Sequence, residues 1–286
     1  MPIYEDADWA DYAIKAHLEH VDHLIIGEGY HGPIWHFWTN RSKDGTRNII
    51  KRYKDHPKVT LMRNVAGPRV EIGKGLSFKK ILSKFKRMGI REGDWIMLCD
   101  VDEFYTEEQM KKIRRIMRTT KKDMIRLKAR IFVYDFTHYI DGYSKRLWRY
   151  TKGMKFHFYN QYALYANGSR YQKSEHIALE KDPMFHYSFI RTNEREYLTR
   201  LMEVKGGSRS KESLDWYDHI YYKWNEKNAD KLYKENERNT GVYGWWPGSE
   251  RVIKKYRGRH PKILDNHPYR HVPDMRNIKT KIVTTP

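Results

Sequence analysis

The feature that most constrains this chain is an apolar run that ends directly in an acidic cluster, within residues 93–105. Residues 95–99 are uninterrupted apolar, which is the profile of a strand buried on both faces, as in the middle of a parallel sheet. Asp100, Asp102 and Glu103 follow at once. Because side chains alternate along a strand, we expect Asp100 and Asp102 to point the same way.

Three carboxylates this close repel one another unless a cation lies among them. Hard oxygen ligands suit Mg²⁺ or Mn²⁺, and such ions commonly bridge the phosphate oxygens of a substrate. Ligands of open α/β sheets bind at the carboxyl ends of the strands, so position and chemistry agree. The alternative is a plain helix start after the strand, with Thr106 as N-cap. We predict that Asp100 and Asp102 are metal ligands.

The N-terminal residues predict a β-α-β unit, which is what a nucleotide-binding α/β domain needs. Residues 2–4 fit the end of a first strand, and Asp6 or Asp8 fits the cap of a helix that runs to about His20. Residues 23–29 then form a second buried strand that leads into glycines.

The segment Leu98–Phe104 resembles the D-x-D segment of GT-A glycosyltransferases, in the "DxDEF" form of some family-2-like enzymes. It is also similar to the "SDVDEIP" segment of the β-1,4-N-acetylglucosaminyltransferase family. The resemblance extends over residues 1 to about 190. It implies an α/β fold of GT-A (Rossmann-like) type, with a mostly parallel central sheet flanked by helices and a helical, aromatic-rich C-terminal region.

The same resemblance implies a domain organisation and a set of nucleotide contacts. Residues 1–192 would form the GT-A nucleotide-sugar-binding and catalytic domain. Residues 193–286 would form a helical C-terminal extension on the acceptor side. At the ends of the first two strands, Ile3 and Glu28 become candidates for nucleotide binding, together with Asp100. A plain turn after a strand remains the alternative for Glu28.

Residues 73–77 place glycines and a lysine before a predicted helix that runs to about Met88, an arrangement that suits an anion. The spacing is not that of a phosphate-binding P-loop. In family-2-like enzymes basic and small residues of this segment lie near the nucleotide, so Arg69 and Lys74 are candidates for contacts to the diphosphate or the base. The alternative is a basic loop with no ligand.

His186 lies in an aromatic segment well after the acidic cluster, where the resembling families often carry a metal-binding histidine. An imidazole beside carboxylates suits Mn²⁺ better than Mg²⁺. The alternative is a hydrogen-bonded core histidine.

If the enzyme inverts, as the resemblance implies, a carboxylate must deprotonate the acceptor hydroxyl. Glu175, Glu180 and Asp182 are the candidate bases, of which we favour Glu175 and Asp182.

The amino-acid composition limits the kinds of partner that the protein can bind. The net charge of +20 either has a solubility role or calls for an anionic partner such as nucleic acid, an anionic membrane, a polyanionic glycan or a nucleotide-sugar. The basic residues of the chain are dispersed and form no recognised nucleic-acid-binding motif, so we expect no dedicated nucleic-acid site.

The single cysteine, Cys99, and the lack of a signal peptide suggest a cytoplasmic protein. Contact with a membrane surface stays open, but no stretch reaches a membrane span.

The combined prediction is a metal-dependent glycosyltransferase that moves a sugar, from a UDP-sugar in the first instance, to a glycan or other hydroxyl acceptor. One rival is a nucleotidyltransferase of similar topology, although the first strand is not followed by the glycine-rich loop that such enzymes usually carry. The other rival is a basic protein that binds RNA or another polyanion. It would explain the charge and the 22 tyrosines but would leave the acidic cluster unexplained.

Overall fold

The computed structural model of the chain describes residues 1–30, 41–64, 70–156, 163–164, 182–191, 221–240 and 253–277. The chain is a mixed α/β protein. Its helices are α1 (Ala7–Leu18), α2 (Thr46–Lys51), α3 (Val70–Arg87), α4 (Glu107–Thr119) and α5 (Ala229–Thr240). Its strands are β1 (Pro2–Ile3), β2 (Leu24–Glu28), β3 (Val59–Arg63), β4 (Trp95–Met97), β5 (Glu103–Phe104), β6 (Met124–Val133), β7 (His138–Arg149), β8 (Lys155–Phe156), β9 (Ala163–Leu164), β10 (Met184–His186) and β11 (Lys254–Lys255).

The first sheet is parallel, with the strand order β1–β2–β3. Strand β2 pairs with β3 along its whole length, from Leu24 opposite Val59 to Glu28 opposite Arg63. It pairs with β1 only at its last two residues, where Ile3 lies opposite Glu28. The predicted β-α-β unit is therefore confirmed, and Ile3 and Glu28 end adjacent strands at the same edge.

The second sheet has the order β11–β7–β6–β10–β5, and β4 also pairs with β7. Strand β4 runs antiparallel to β7, with Ile96 opposite Trp148. We expected this strand in the middle of a parallel sheet, and that expectation was wrong. An apolar run reports burial on both faces, but it carries no information about the direction of the neighbouring strand.

The helix start with Thr106 as N-cap is confirmed, and the first turn of α4 is capped on both sides. The Thr106 side chain accepts a hydrogen bond from the backbone of Gln109, and the Gln109 side chain accepts one from the backbone of Thr106. This capping box satisfies two donors that the helix itself leaves without partners. Helix α1 is also confirmed. In its first turn, the Asp44 side chain accepts a hydrogen bond from the backbone N–H of Ala7.

Helix α3 begins earlier than the sequence predicted. It starts at Val70, so Gly73, Lys74 and Gly75 lie inside the helix instead of before it. The glycines cost helical propensity, but Leu76, Phe78 and the residues that follow supply an apolar face, and tertiary packing outweighs propensity. The segment is therefore not a loop preceding a helix N-terminus, which was the basis for an anion site there.

The chain divides into two compact units, each with its own core. Unit 1 comprises residues 1–129, 143–186 and 260–265, and unit 2 comprises 130–142, 187–259 and 266–286. The core of unit 1 includes Ile25, Leu82, Ile96, Met124 and Trp148. The core of unit 2 is largely aromatic and includes Tyr134, Tyr221 and Trp224. The predicted boundary at residue 192 lies outside the described residues.

Of the predicted helical C-terminal region, the described residues form α5, strand β11 and 3-10 turns at 262–264 and 275–277. None of the helices in the described ranges combines the length and the apolar character that crossing a membrane requires.

Candidate functional site

The acidic cluster occupies a turn between β4 and β5, so the expected alternation of Asp100 and Asp102 does not apply. Strand β4 ends at Met97, and residues 101–102 form a turn before Glu103 enters β5. Asp102 is buried, whereas the Asp100 side chain is about one-third exposed at 33%. The two carboxylates have different neighbours as a result.

Arg146, from the part of β7 that belongs to unit 1, binds two of the three carboxylates. Its guanidinium lies 2.7 Å from Asp100 Oδ2 and also contacts Glu103 Oε1. The Arg146 side chain is 8% exposed and that of Glu103 is fully buried. A buried charge needs a paired, hydrogen-bonded partner, and each of these two residues supplies it for the other.

His186, at the end of β10, reaches the remaining carboxylate. Its Nε2 lies 3.3 Å from Asp102 Oδ1, and its Nδ1 lies 3.8 Å from Glu103 Oε1. The pairing of β10 with β5 enforces this approach, because His186 is directly opposite Glu103 in the antiparallel ladder. The structure thus brings together Asp102 and His186, which the sequence placed in one metal site although they are far apart along the chain.

The cluster shifts the pKa values of its members in a way that follows from their neighbours. Burial opposes the charged imidazole, but the Asp102 carboxylate outweighs that cost and raises the pKa of His186 above its ordinary value of 6.5. Burial also raises the pKa of the Glu103 carboxyl, while Arg146 opposes the increase. The neighbouring carboxylates therefore favour the protonated form of the imidazole.

The end of β2 forms a second, smaller polar site in unit 1. The Glu28 carboxylate accepts a hydrogen bond from the Ser42 backbone at 2.8 Å. Behind it, the buried Asn64 side chain donates to the carbonyls of Gly27 at 2.9 Å and Gly29 at 2.7 Å. Asn64 thus fixes the turn that carries Glu28, and Ile3 lies buried in the adjacent strand.

Of the other predicted site residues, only Asp182 has a side chain within the described part of the chain. Arg69 and Glu175, like Glu180, lie outside the described residues, and Lys74 lies within α3. The Asp182 carboxylate contacts Lys112 of α4, with both side chains on the surface at 37% and 55% exposed. Asp182 therefore contacts α4.

Two residues of these sites were not predicted from the sequence. Arg146 lies in a segment that alternates basic and aromatic residues, and only its buried neighbours Leu147 and Trp148 signal that this arginine is an interior one. Asn64 follows directly after β3, where a polar residue usually signals nothing more than the start of a loop. Its role depends on the close approach of Gly27, which the sequence does not reveal.

In chemical terms, the cluster combines carboxylate oxygens, an imidazole and one guanidinium. Three carboxylates against one guanidinium leave an excess of two negative charges when the histidine is neutral, which favours a divalent cation or a proton. Among the described residues, no three histidine, cysteine or acidic side chains are arranged to hold a metal by themselves. No family model matches the sequence, and no curated protein matches it.

Proposed function

We propose that the protein is a metal-dependent glycosyltransferase that transfers a sugar from a nucleotide-sugar, with UDP as the expected nucleotide, to a hydroxyl of a glycan or another acceptor. The observation that carries the proposal is the 3.3 Å approach of His186 to Asp102 in the turn between β4 and β5. A GT-A-like domain remains part of the proposal. Its support is the parallel β1–β2–β3 sheet, which has Ile3 and Glu28 at the edge where nucleotides bind in α/β proteins.

The donor set fits a hard or borderline divalent ion. Neighbouring ligands of an octahedral ion bound at about 2.1 Å lie about 3 Å apart, which is close to the separation of Asp102 Oδ1 and His186 Nε2. Asp100, with its partly exposed carboxylate, is the further candidate ligand. A mixed oxygen and nitrogen set favours Mn²⁺ over Mg²⁺. Substrate phosphates and water would complete the coordination.

When bound, such an ion neutralises the diphosphate that leaves as the glycosidic bond breaks. The residues of the chain perform the remaining tasks. Arg146 compensates Glu103 and Asp100, so the cluster keeps its shape without a ligand. Glu28, fixed by Ser42 and by the turn that Asn64 holds, would accept hydrogen bonds from a nucleoside. Glu175 and Asp182 remain the candidate bases for the acceptor hydroxyl, in an inverting reaction.

The test is a binding experiment with UDP, GDP and CMP, each with and without MnCl₂, followed by thermal unfolding and calorimetry. A ligand at a hundredfold excess over its Kd stabilises the folded state by about 2.7 kcal/mol, so we expect one diphosphate to raise Tm, and only with the metal. Asp102→Asn should abolish this effect. Glu108→Gln, which removes an exposed carboxylate of α4, is the matched control and should leave it intact.

Variants of His186 test the second ligand. We expect His186→Ala to weaken Mn²⁺ binding and His186→Asn to preserve part of it. If Asp102→Asn bound the nucleotide with unchanged Mn²⁺ dependence, the metal assignment would be wrong. Nucleotide binding that never requires a metal would favour a different transferase mechanism.

A further inference from the structure

The outer face of helix α4 carries three arginines, Arg114, Arg115 and Arg118, which together form the arginine row. Residues three or four apart on a helix lie side by side, so Arg114 and Arg115 both neighbour Arg118. With Lys111 and Thr119, these arginines line a hollow of about 330 Å³. Arg115 and Arg118 are exposed, and Arg114 is half-buried. The row therefore presents three guanidinium groups at one place on the surface of unit 1.

The charge of the arginine row has no acidic partner among the described residues. Lys111 forms an ion pair with Glu107 at 2.8 Å, but none of the three arginines forms an ion pair with this part of the chain. Arg114 instead donates to two neutral acceptors, the Glu19 carbonyl at 3.5 Å and His20 Nδ1 at 3.2 Å. Burial lowers the pKa of His20 below 6.5, and the Arg114 charge lowers it further, so this imidazole is neutral near pH 7.

Helix stability alone does not account for the arginine row. A cation in the last turn of a helix interacts favourably with the helix dipole, and Arg118 has this position. The effect fades within one turn, so it contributes little at Arg114 and Arg115. Like charges at positions i and i+4, such as Arg114 and Arg118, destabilise a helix. A bound anion would remove this repulsion.

The described residues around the hollow favour an acidic polypeptide as the bound partner. They include no aromatic ring, on which the bases of a single-stranded nucleic acid would stack. They include no large apolar side chain of the kind that enters a membrane interface, and Met110 and Ile113 of α4 are buried in the protein. Guanidinium groups bind carboxylates through two parallel hydrogen bonds, so acidic side chains match the row directly.

The spacing of the arginines fits an extended chain better than a single small anion. Arg114 and Arg118 are four positions apart, which corresponds to about 6 Å along the helix axis. In an extended polypeptide, alternate side chains lie on the same side and about 6.6–6.8 Å apart. Two acidic residues separated by one other residue can therefore reach both arginines at once, with Arg115 beside them.

We propose that the arginine row is a docking surface for an extended acidic segment of a partner polypeptide, with Asp or Glu at alternate positions. Two of its carboxylates each bind a guanidinium group, and the side chain between them points away from the helix. The proposal does not rest on the transferase activity, because none of the three arginines has a part in that reaction.

Fluorescence anisotropy of a labelled Ser-Glu repeat peptide, measured without nucleotide or metal, tests the proposal. We expect Arg115→Glu/Arg118→Glu to lower the affinity by at least about tenfold, because two attractive charges become repulsive. The milder Arg115→Gln/Arg118→Gln should lower it by at least about threefold, and thermal unfolding establishes that each variant is folded. The charge-matched control, Lys51→Glu/Lys152→Glu, changes two exposed lysines outside the row. Its affinity should change by less than about twofold, since salt screens remote surface charges.

A photo-crosslinking form of the same peptide locates the binding surface. Crosslinks to α4 would support the proposal, and crosslinks confined to other segments would overturn it. Equal losses of affinity in the two charge-reversed variants would also overturn it, because net charge alone would then attract the peptide.

A short single-stranded RNA and phosphatidylserine vesicles serve as competing partners. If Arg115→Glu/Arg118→Glu lost RNA or vesicle binding by a larger factor than peptide binding, the row would be a nucleic-acid or membrane surface, and the proposal would fail. A larger loss for the peptide would support it. These measurements involve no metal or nucleotide, so their outcome leaves the proposed transferase function to its own test.

Discussion

Arg146 determines how three carboxylates can share one turn at the end of β4. Its guanidinium is almost fully buried against Asp100 and Glu103. The third carboxylate, Asp102, pairs with His186 instead. A buried ion pair contributes little compared with an apolar pair of the same shape, but removing one partner alone leaves an unpaired buried charge. The cluster is therefore sensitive to single substitutions and tolerant of paired ones.

We expect Arg146→Met to lower the free energy of unfolding by about 3–5 kcal/mol, because Glu103 loses the charge that compensates it. Urea denaturation measures this change. Adding Glu103→Gln to Arg146→Met should recover a substantial part of the loss. The control, Arg115→Gln, removes an exposed arginine and should change stability by no more than about 0.5 kcal/mol. Equal stability of Arg146→Met and the wild type would contradict the structural role assigned to this arginine.

A second titratable group, in unit 2, links stability to pH. His138 Nδ1 lies 2.8 Å from Asp135 Oδ2, and its Nε2 lies 3.6 Å from Glu226 Oε1, which also binds Lys255. Burial opposes the charged imidazole, but the two carboxylates outweigh it and raise the pKa of His138 above 6.5. Because the folded state holds the proton more tightly, the stabilisation is complete below the unfolded pKa and is lost as pH rises through the folded pKa.

The variant His138→Gln tests this link. Compared with the wild type, its free energy of unfolding should be lower by about 1 kcal/mol near pH 5.5, and this difference should shrink steadily towards about pH 8.5. Chemical denaturation at a series of pH values gives this difference directly. A deficit that grew with pH would show that the neutral imidazole is the stabilising form.

At the scale of elements, the carboxyl end of β2 depends on one close packing contact. A Cβ added to Gly27 would lie 2.1 Å from Asn64 Oδ1, far closer than van der Waals contact. The same asparagine donates to the carbonyls on either side of Glu28. The position of Glu28 thus requires a glycine before it and an amide after β3.

Gly27→Ala should therefore destabilise the fold by about 1–3 kcal/mol, the usual range for overpacking. Asn64→Ala should also destabilise it, because two buried carbonyls lose their donors. The double variant should be less damaged than the two single losses predict, since the alanine at position 64 removes the clash. Urea denaturation of the wild type, the two single variants and the double variant forms a double-mutant cycle that measures this coupling. Strict additivity would mean that the two residues do not meet.

At the scale of the whole molecule, sequence patterns predicted several elements and the β-α-β unit, but not the pairing of β4. The capping box of α4 and the apolar runs of β2 and β4 are local signals, so the positions of these elements could be predicted. The antiparallel pairing of β4 depends on β7, some fifty residues away, and no local pattern encodes it. The approach of His186 to Asp102 was proposed only through a family resemblance, and Arg146 was missed because one arginine in a basic chain is not distinctive.

The net charge of +20 is also a property of the whole molecule, and it leads to a test between the proposed enzyme and its polyanion-binding rival. Dispersed surface cations bind phosphates without specificity, so the affinity for a short RNA should fall steeply as salt rises. Asp102→Asn should leave this binding unchanged, because the acidic cluster does not attract an anion unless a metal is present. Binding of UDP with Mn²⁺ should show the reverse pattern, with loss in Asp102→Asn and weaker dependence on salt. Fluorescence anisotropy at several NaCl concentrations measures both. If RNA binding resisted salt and surpassed nucleotide binding, the rival function would have the stronger support.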